Sequence, residues 1–118
     1  MKKLNLSKIR IMPVYGGAYA WDENGYNISL SYWFIGHPQY NEILKLESEM
    51  EVWASEIYSV IDNDPNFPWK DYNNKGRELT KKLAEFMIDS NTEIVYARPY
   101  EDPDGKNLCE ERFLKRCK

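Results

Sequence analysis

The sequence is poor in the side chains that most often carry catalysis or bind metal ions. Among 118 residues it has one histidine, His37, and two cysteines, Cys109 and Cys117. One histidine cannot form a histidine-rich metal site, and no Ser/His/Asp or Cys/His set stands at a recognisable spacing. His37 comes just before Pro38 at a predicted helix start, where a capping or loop role is more common than catalysis. We therefore predict no catalytic residue, no metal site and no cofactor, and we interpret the protein as a non-enzyme.

The two cysteines and the lack of long apolar runs indicate where the protein works. Cys109 and Cys117 stand eight residues apart on a predicted C-terminal helix, which is about 12 Å of helical rise and too far for a disulfide. We interpret both as reduced thiols packed on that helix, with Cys117 beside basic residues as a candidate reactive thiol. The first residues lack the uninterrupted apolar segment of a signal peptide, and no run is long enough to span a bilayer. We therefore predict a cytoplasmic protein without membrane contact.

Acidic side chains are concentrated in one part of the chain. The net charge is −3, yet residues 38–64 hold seven acidic residues against Lys45 alone, a local balance of −6. Residues 1–37 and 65–118 sum to +2 and +1. This distribution argues against a general nucleic-acid binder and favours attraction to a basic protein.

Alternation and turn residues predict an antiparallel sheet in the first third of the chain. Ile9 and Ile11 alternate with polar residues, which is typical of a half-buried strand. A second strand ends at Trp21, and Asn24-Gly25 then stands between aromatic and β-branched runs, the strongest short hairpin signal. The second arm of that hairpin is predicted over Tyr26–Phe34.

Two long helices follow, each with an apolar stripe at steps of three and four residues. The first is predicted over 38–61, and its stripe consists of Tyr40, Ile43, Leu46, Met50, Trp53, Ile57 and Val60. The second is predicted over 69–88, and its stripe consists of Trp69, Tyr72, Gly76, Leu79, Leu83 and Phe86. Glycine costs roughly 1 kcal/mol against alanine inside a helix, so Gly76 predicts a large side chain packed over that position.

The remaining segments complete a single predicted α+β domain over residues 1–118. A strand is predicted at Glu93–Arg98, and Asn107 with Glu110 three residues later indicates the capped start of a last helix. Acidic residues at the beginning of that helix and basic residues at its end suit the helix dipole. The predicted order is β-β-β-α-α-β-α, a small antiparallel sheet with two long helices packed on one face and a short C-terminal helix.

Five glutamates on the first long helix are candidate partner-binding residues. Glu42, Glu49 and Glu56 step by seven along one shoulder, about 10.5 Å per step, which is too wide for a two-carboxylate catalytic site. Glu47 and Glu51 lie four residues apart on the other shoulder, where they could share a cation. A solvated acidic face is the ordinary explanation of such rows, and the functional one is steering towards a basic protein.

Tyrosines at predicted loop and turn positions form a second group of candidates. Tyr15, Tyr19, Tyr26 and Tyr100 stand at such positions. Tyrosine often anchors protein interfaces, although packing is the more common use of any one tyrosine. We select Tyr19 and Tyr26 to join the five glutamates as predicted partner-binding residues.

A loose pattern of aromatic residues, one helical glycine and a strand covers about two-thirds of the chain. It consists of Trp21-Asp22, Gly25, Phe67, Trp69, Tyr72, Gly76, Leu79, Leu83, Tyr96, Pro99 and Asp102. This pattern resembles a group of small bacterial immunity proteins, the partners of polymorphic or contact-dependent toxins. The resemblance implies a cognate toxin as the partner and stoichiometric binding over its active site or a neighbouring surface, often with acidic residues against a basic nuclease. It implies no catalytic residue.

Two other functions remain open from the sequence. One is a small enzyme or ligand-binding domain whose pocket lies between the sheet and the helices and is lined by Trp21, Trp33 and Tyr96. The other is a structural subunit in which the apolar side of the last helix contacts another chain. The sequence also leaves the oligomeric state open.

Overall fold

The computed structural model describes residues 7–14, 18–59, 66–88, 92–99, 102 and 110–114. These residues form four strands, three α-helices and one 3₁₀ turn, which confirms the predicted α+β class. In chain order the elements are β1 (Lys8–Ile11), β2 (Ala20–Trp21), α1 (Leu30–Trp33), α2 (Tyr40–Ser55), the 3₁₀ turn Glu56–Ser59, α3 (Trp69–Phe86), β3 (Glu93–Tyr96) and β4 (Glu111–Leu114).

The sheet is mixed, with the strand order β2-β1-β3-β4. β1 pairs antiparallel with β2, β3 pairs antiparallel with β4, and β1 pairs parallel with β3, so that Ile11 lies beside Tyr96. The prediction of a fully antiparallel sheet is therefore wrong at the β1–β3 pair. Parallel neighbours need a long crossover connection, and the segment that carries all three helices supplies it between these two strands.

The two long helices are confirmed, and most residues of their predicted stripes are buried. Tyr40 and Phe86 are only partly buried, and Val60 lies outside the described residues. The buried residues of α2 and the following 3₁₀ turn include Ile43, Leu46, Met50, Trp53 and Ile57, and those of α3 include Trp69, Tyr72, Leu79 and Leu83. α2 ends at Ser55 and continues as the 3₁₀ turn, so it is shorter than the predicted 38–61 helix. α3 packs on β3 and beside α2, and α2 reaches the sheet through Trp53, whose ring centroid is 6.2 Å from that of Tyr96.

The prediction that a large side chain packs over Gly76 is confirmed. A Cβ atom at this position would lie 2.6 Å from Cε1 of Tyr96 and would also collide with the ring of Trp53. The glycine therefore lets aromatic rings from α2 and β3 lie directly on the backbone of α3.

The second arm of the predicted hairpin is wrong from Leu30 onward, where the chain forms α1. The turn itself is present: Gly25 has a φ of 85°, and the amide of Asp22 donates to the carbonyl of Tyr26 at 2.9 Å. Helix formation then begins at Ser29, whose hydroxyl accepts from the amide of Tyr32 at 3.4 Å. Serine caps favour helix initiation, and this local capping outweighs the alternating pattern of the segment.

The predicted C-terminal helix is also wrong, because Glu111–Leu114 is a strand. The acidic residues expected to cap a helix instead bind cations of other elements. Glu110 accepts from Lys8 Nζ at 2.6 Å and from Arg10 Nε at 2.8 Å. Burial alone would raise the pKa of Glu110, but the hydrogen bonds from Lys8 and Arg10, together with the positive charges of these two residues, lower that pKa. Cys109 and Cys117 lie outside the described residues.

Candidate partner-binding surface

Four of the five predicted glutamates lie on α2, on two different sides of it as their spacing indicates, and Glu56 begins the 3₁₀ turn that follows α2. On the α3 side, Glu49 Oε1 lies 3.5 Å from Lys82 Nζ. On the α1 side, Glu47 Oε2 accepts a hydrogen bond from the amide of Ser31 at 3.1 Å. The structure therefore separates the set into Glu42, Glu49 and Glu56 beside α3 and Glu47 and Glu51 towards α1.

Glu47 holds α1 in place. Besides the Ser31 amide, its carboxylate lies 3.5 Å from the hydroxyl of Ser29, the residue that caps α1. Tyr40 completes this connection by donating to the carbonyl of Ser31 at 3.0 Å. A carboxylate at a helix N-terminus stabilises exposed amides and the positive end of the dipole. These contacts give Glu47 a structural role within the fold.

The two predicted tyrosines have opposite environments. Tyr26 is 70% exposed, whereas Tyr19 is 7% exposed and belongs to the core. Burial, followed by the charges of Glu47 and Glu51, raises the pKa of the Tyr19 hydroxyl. The interpretation of Tyr19 as a surface anchor is corrected accordingly, while Tyr26 stays available on the surface. Tyr15 and Tyr100 lie outside the described residues.

A groove runs between α2 and α3 on the outside of the molecule. One cavity of about 400 Å³ is lined by Ser48, Glu49, Val52, Trp53, Glu56 and Lys75. A second cavity of about 240 Å³ is lined by Glu42, Lys45, Leu46, Glu49, Lys82, Glu85 and Phe86. The two cavities share Glu49. Three of the predicted residues, Glu42, Glu49 and Glu56, thus lie along one groove.

The groove also contains residues that the sequence reasoning missed. Lys75 lines the larger cavity, and Lys45, Lys82 and Glu85 line the smaller one, so both helices contribute charges of either sign. Val52 lines the larger cavity with 66% of its surface exposed. Lys75 and Lys82 offset part of the negative charge expected from residues 38–64 taken alone. Their spacing of seven residues on α3 is the same signal that identified the glutamate row, and it could have found them.

A buried polar network connects α3, β3 and Asp102. Asn73 Nδ2 donates to the Asp102 carboxylate at 2.8 Å, and the Tyr96 hydroxyl donates to Asn73 Oδ1 at 2.5 Å. Burial is the main cause that raises the pKa of Tyr96. Arg77 covers the Tyr96 ring at 5.7 Å from its centroid and binds both carboxylate oxygens of Glu111 at 2.8 and 2.9 Å. These side chains satisfy one another, as a structural network should, and neither groove cavity reaches them.

The aromatic residues proposed for an internal pocket are not brought together. Tyr96 is fully buried against Gly76. Trp21 pairs with Arg10 in the sheet, so strand alternation places it on the face opposite Ile9 and Ile11. Trp33 packs partly buried at the edge of the core on α1.

His37 serves the start of α2. Its Nδ1 atom accepts from the amide of Gln39 at 3.0 Å, which confirms the predicted capping or loop role. Within the described part of the chain, no group of three or more His, Cys, Asp or Glu side chains could hold a metal ion. None of the helices described here has the length and apolar character needed to cross a bilayer.

Comparison with family models, curated proteins and solved structures gives no match to this chain.

Proposed function

We propose that the protein is a non-catalytic binding protein that engages a basic surface of a partner protein through α2 and the 3₁₀ turn that follows it. The observation that carries this proposal is the row formed by Glu42, Glu49 and Glu56, three exposed carboxylates that line one groove. The contact of Glu49 with Lys82 is 3.5 Å long and half exposed, and such pairs contribute little to stability. The Glu49 carboxylate can therefore exchange its contact with Lys82 for a contact with a partner at small cost.

The resemblance to immunity proteins supports a bacterial toxin as the partner. In that case the protein neutralises the toxin stoichiometrically and in the cytoplasm, by covering its active site or a neighbouring surface. Opposite charges across the interface accelerate association and fix its orientation. Tyr26, which is 70% exposed, supplies an aromatic contact outside the groove.

Co-expression with the product of the neighbouring coding sequence tests this function. We expect a stable complex that co-purifies and a neighbour that is toxic when expressed alone. The triple variant Glu42→Lys, Glu49→Lys and Glu56→Lys should lose most of the complex, because it replaces attraction by repulsion along the whole row. A non-toxic neighbour, or no complex with the wild-type protein, would contradict the proposal.

A matched control distinguishes the effect of the glutamate row from the effect of the net charge of the protein. Glu78 is an exposed residue of α3 that does not line the groove. Glu78→Lys makes the same change of charge as Glu49→Lys. We expect Glu78→Lys to bind the partner with the affinity of the wild type, and Glu49→Lys to bind it more weakly. If both single variants lost the same affinity for the partner, the effect would come from the net charge of the protein and not from the glutamate row.

A further inference from the structure

The turn that follows β2 contains Asn24 and Gly25, and Asn24 is the only asparagine in the sequence that a glycine follows. Both residues are exposed. A Cβ atom added at Gly25 would meet nothing within 4 Å, so the space around this residue is open. Water therefore has access to the Asn24 side chain and to the peptide bond that follows it.

An asparagine side chain that precedes a glycine can react with its own backbone. The backbone nitrogen of the next residue lies close to the side-chain carbonyl carbon, and two groups held near each other in one molecule react far faster than separate molecules do. Glycine has no Cβ atom to shield its nitrogen, and its backbone adopts conformations that other residues avoid. Asparagine is accordingly among the thermolabile residues of proteins.

We infer that Asn24 is a site of spontaneous deamidation whose rate Asp22 controls. The Gly25 nitrogen loses its proton and bonds to Asn24 Cγ, the bond between Cγ and Nδ2 breaks, and Nδ2 leaves as ammonia with a proton in place of the one that Gly25 lost. The product is a five-membered succinimide ring. This inference is independent of the proposed function.

Water then opens the succinimide ring at one of its two carbonyl carbons. Opening at the side-chain carbonyl leaves an aspartyl residue with the normal backbone at position 24. Opening at the main-chain carbonyl leaves an isoaspartyl residue, in which the backbone runs through the side-chain carbon atoms. Both products replace a neutral amide by a carboxylate, and the reaction needs no reagent besides water.

Asp22 restrains the reacting nitrogen while the turn is closed. Its carbonyl accepts from the amide of Gly25 at 3.0 Å, and its carboxylate accepts from the amides of Asn24 and Tyr26, both at 2.9 Å. The negative carboxylate also disfavours loss of the Gly25 proton, because that step would create a second negative charge nearby. The turn must therefore open before the ring closes, and the free energy of this local opening controls the rate.

Deamidation changes the surface beside Tyr26, which is 70% exposed. Each product adds a carboxylate to a turn that already contains Asp22 and Glu23. The isoaspartyl product also adds one carbon atom to the backbone between Asp22 and Tyr26. The hydrogen bond from the Asp22 amide to the Tyr26 carbonyl, 2.9 Å long, cannot then keep its geometry.

Incubation of the purified full-length protein in mildly alkaline buffer, followed by proteolysis and mass spectrometry, tests the inference. Electron-transfer fragmentation distinguishes the aspartyl from the isoaspartyl product. Asn27 and Asn41 are internal controls, because neither precedes a glycine. The variants Asp22→Ala and Asn24→Gln are incubated in the same way, and the wild-type protein in urea gives the rate of the unfolded chain.

We expect both products at position 24 of the folded wild-type protein, while Asn27 and Asn41 keep their amides. Asp22→Ala should deamidate about tenfold faster, because its turn lacks two hydrogen bonds to a carboxylate. The wild-type protein in urea should also react faster than the folded protein. Asn24→Gln should keep its amide, since its ring would have six members and form more slowly. Should Asp22→Ala fail to fold, Asp22→Asn replaces it and should accelerate the reaction by a smaller factor.

Three results would overturn the inference. The first is a folded wild-type protein in which Asn24 loses ammonia no faster than Asn27. The second is an aspartyl product alone, because direct hydrolysis of the side-chain amide forms no isoaspartyl residue. The third is an equal rate in the wild type and in a folded Asp22 variant, because the carboxylate would then not control the turn.

Discussion

The ring of Tyr96 lies on the backbone of Gly76, with Cε1 and Cζ at 2.6 and 2.9 Å from the point where a Cβ atom would stand. Trp53 closes the same space from α2. Two helices and a strand therefore converge on one Cα atom. The distance between α3 and its neighbours depends on the absence of a side chain at position 76.

Substitution of Gly76 by alanine should destabilise the protein. Alanine would gain roughly 1 kcal/mol in helix propensity, but overpacking of a rigid core costs about 1–3 kcal/mol, and here two aromatic rings must move. We expect a net loss of up to about 2 kcal/mol in the free energy of unfolding, from these two opposing magnitudes. Urea denaturation followed by tryptophan fluorescence measures it.

A second substitution checks that the loss comes from this contact. Trp53→Phe removes part of the ring that the new methyl group would meet. In a double-mutant cycle, the cost of Gly76→Ala should be smaller in the Trp53→Phe background than in the wild type. Additive effects, or a Gly76→Ala variant more stable than the wild type, would refute the steric explanation.

The sequence predicts the parts of the fold that depend on the spacing of residues within one helix. The stripes of α2 and α3 and the close packing at Gly76 follow from spacing and from the cost of glycine. The C-terminal segment was predicted wrongly, because Glu110 and Glu111 suit a helix start equally well. Their actual partners are Lys8, Arg10 and Arg77, which are distant in sequence, and a local pattern holds no information on such contacts.

The candidate site was predictable to a similar extent. Helical spacing placed Glu42, Glu49 and Glu56 on one shoulder of α2, and the structure shows them along one groove. The seven-residue spacing of Lys75 and Lys82 shows that they share one side of α3, but it does not show that this side faces α2. Tyr19 directly precedes β2, and its position beside predicted turns does not show that its side chain belongs to the core.

Removal of the Glu47 carboxylate should loosen α1. Glu47→Gln keeps the shape of the side chain but weakens its hydrogen bond to the Ser31 amide and its effect on the helix dipole. We expect faster amide hydrogen exchange at Ser31 and Tyr32 and a loss of about 1 kcal/mol in the free energy of unfolding. Glu51→Gln, a control on the same side of α2, should leave exchange in α1 unchanged. Unaltered exchange in Glu47→Gln would show that the carboxylate does not hold α1.

The buried hydroxyl of Tyr96 should make stability depend on alkaline pH. Its pKa in the folded protein is raised, mainly by burial, above the ordinary value of 10.0 that the unfolded chain has. Above about pH 10 the unfolded state therefore loses this proton first, and the free energy of unfolding falls by up to about 1.4 kcal/mol per pH unit. Below pH 10 the Tyr96 hydroxyl keeps its proton in both the folded and the unfolded state, so its contribution to the free energy of unfolding is fully present.

Tyr96→Phe isolates this effect. At neutral pH the variant should be less stable by about 1–2 kcal/mol, because it leaves Asn73 Oδ1 without the Tyr96 hydrogen bond. Above pH 10 the difference from the wild type should shrink, since the variant has no hydroxyl to titrate there. Chemical denaturation at a series of pH values measures the free energy of unfolding of both proteins. A difference between them that does not change with pH would contradict the raised pKa of Tyr96.

The two-point contact between Arg77 and Glu111 should hold β4 against α3. Both carboxylate oxygens are engaged, at 2.8 and 2.9 Å, and Asn74 Oδ1 accepts from a third guanidinium nitrogen at 2.7 Å. Arg77→Lys keeps the charge but cannot form this fork. We expect faster amide exchange at Glu111 and Arg112 and a stability loss of about 1 kcal/mol or less, because the Glu111 side chain is 39% exposed and solvent screens the pair.

The same variant tests whether β4 depends on the contact between Arg77 and Glu111. If β4 depends on Arg77, high salt should accelerate exchange at Glu111 in the wild type more than in Arg77→Lys, since only the wild type has the fork to lose. Lys81→Ala, at an exposed position of α3, serves as the control and should not alter exchange in β4. Helical chemical shifts over 111–114 in either protein would contradict the strand. Unchanged amide exchange in Arg77→Lys would show that the Arg77 guanidinium does not stabilise β4.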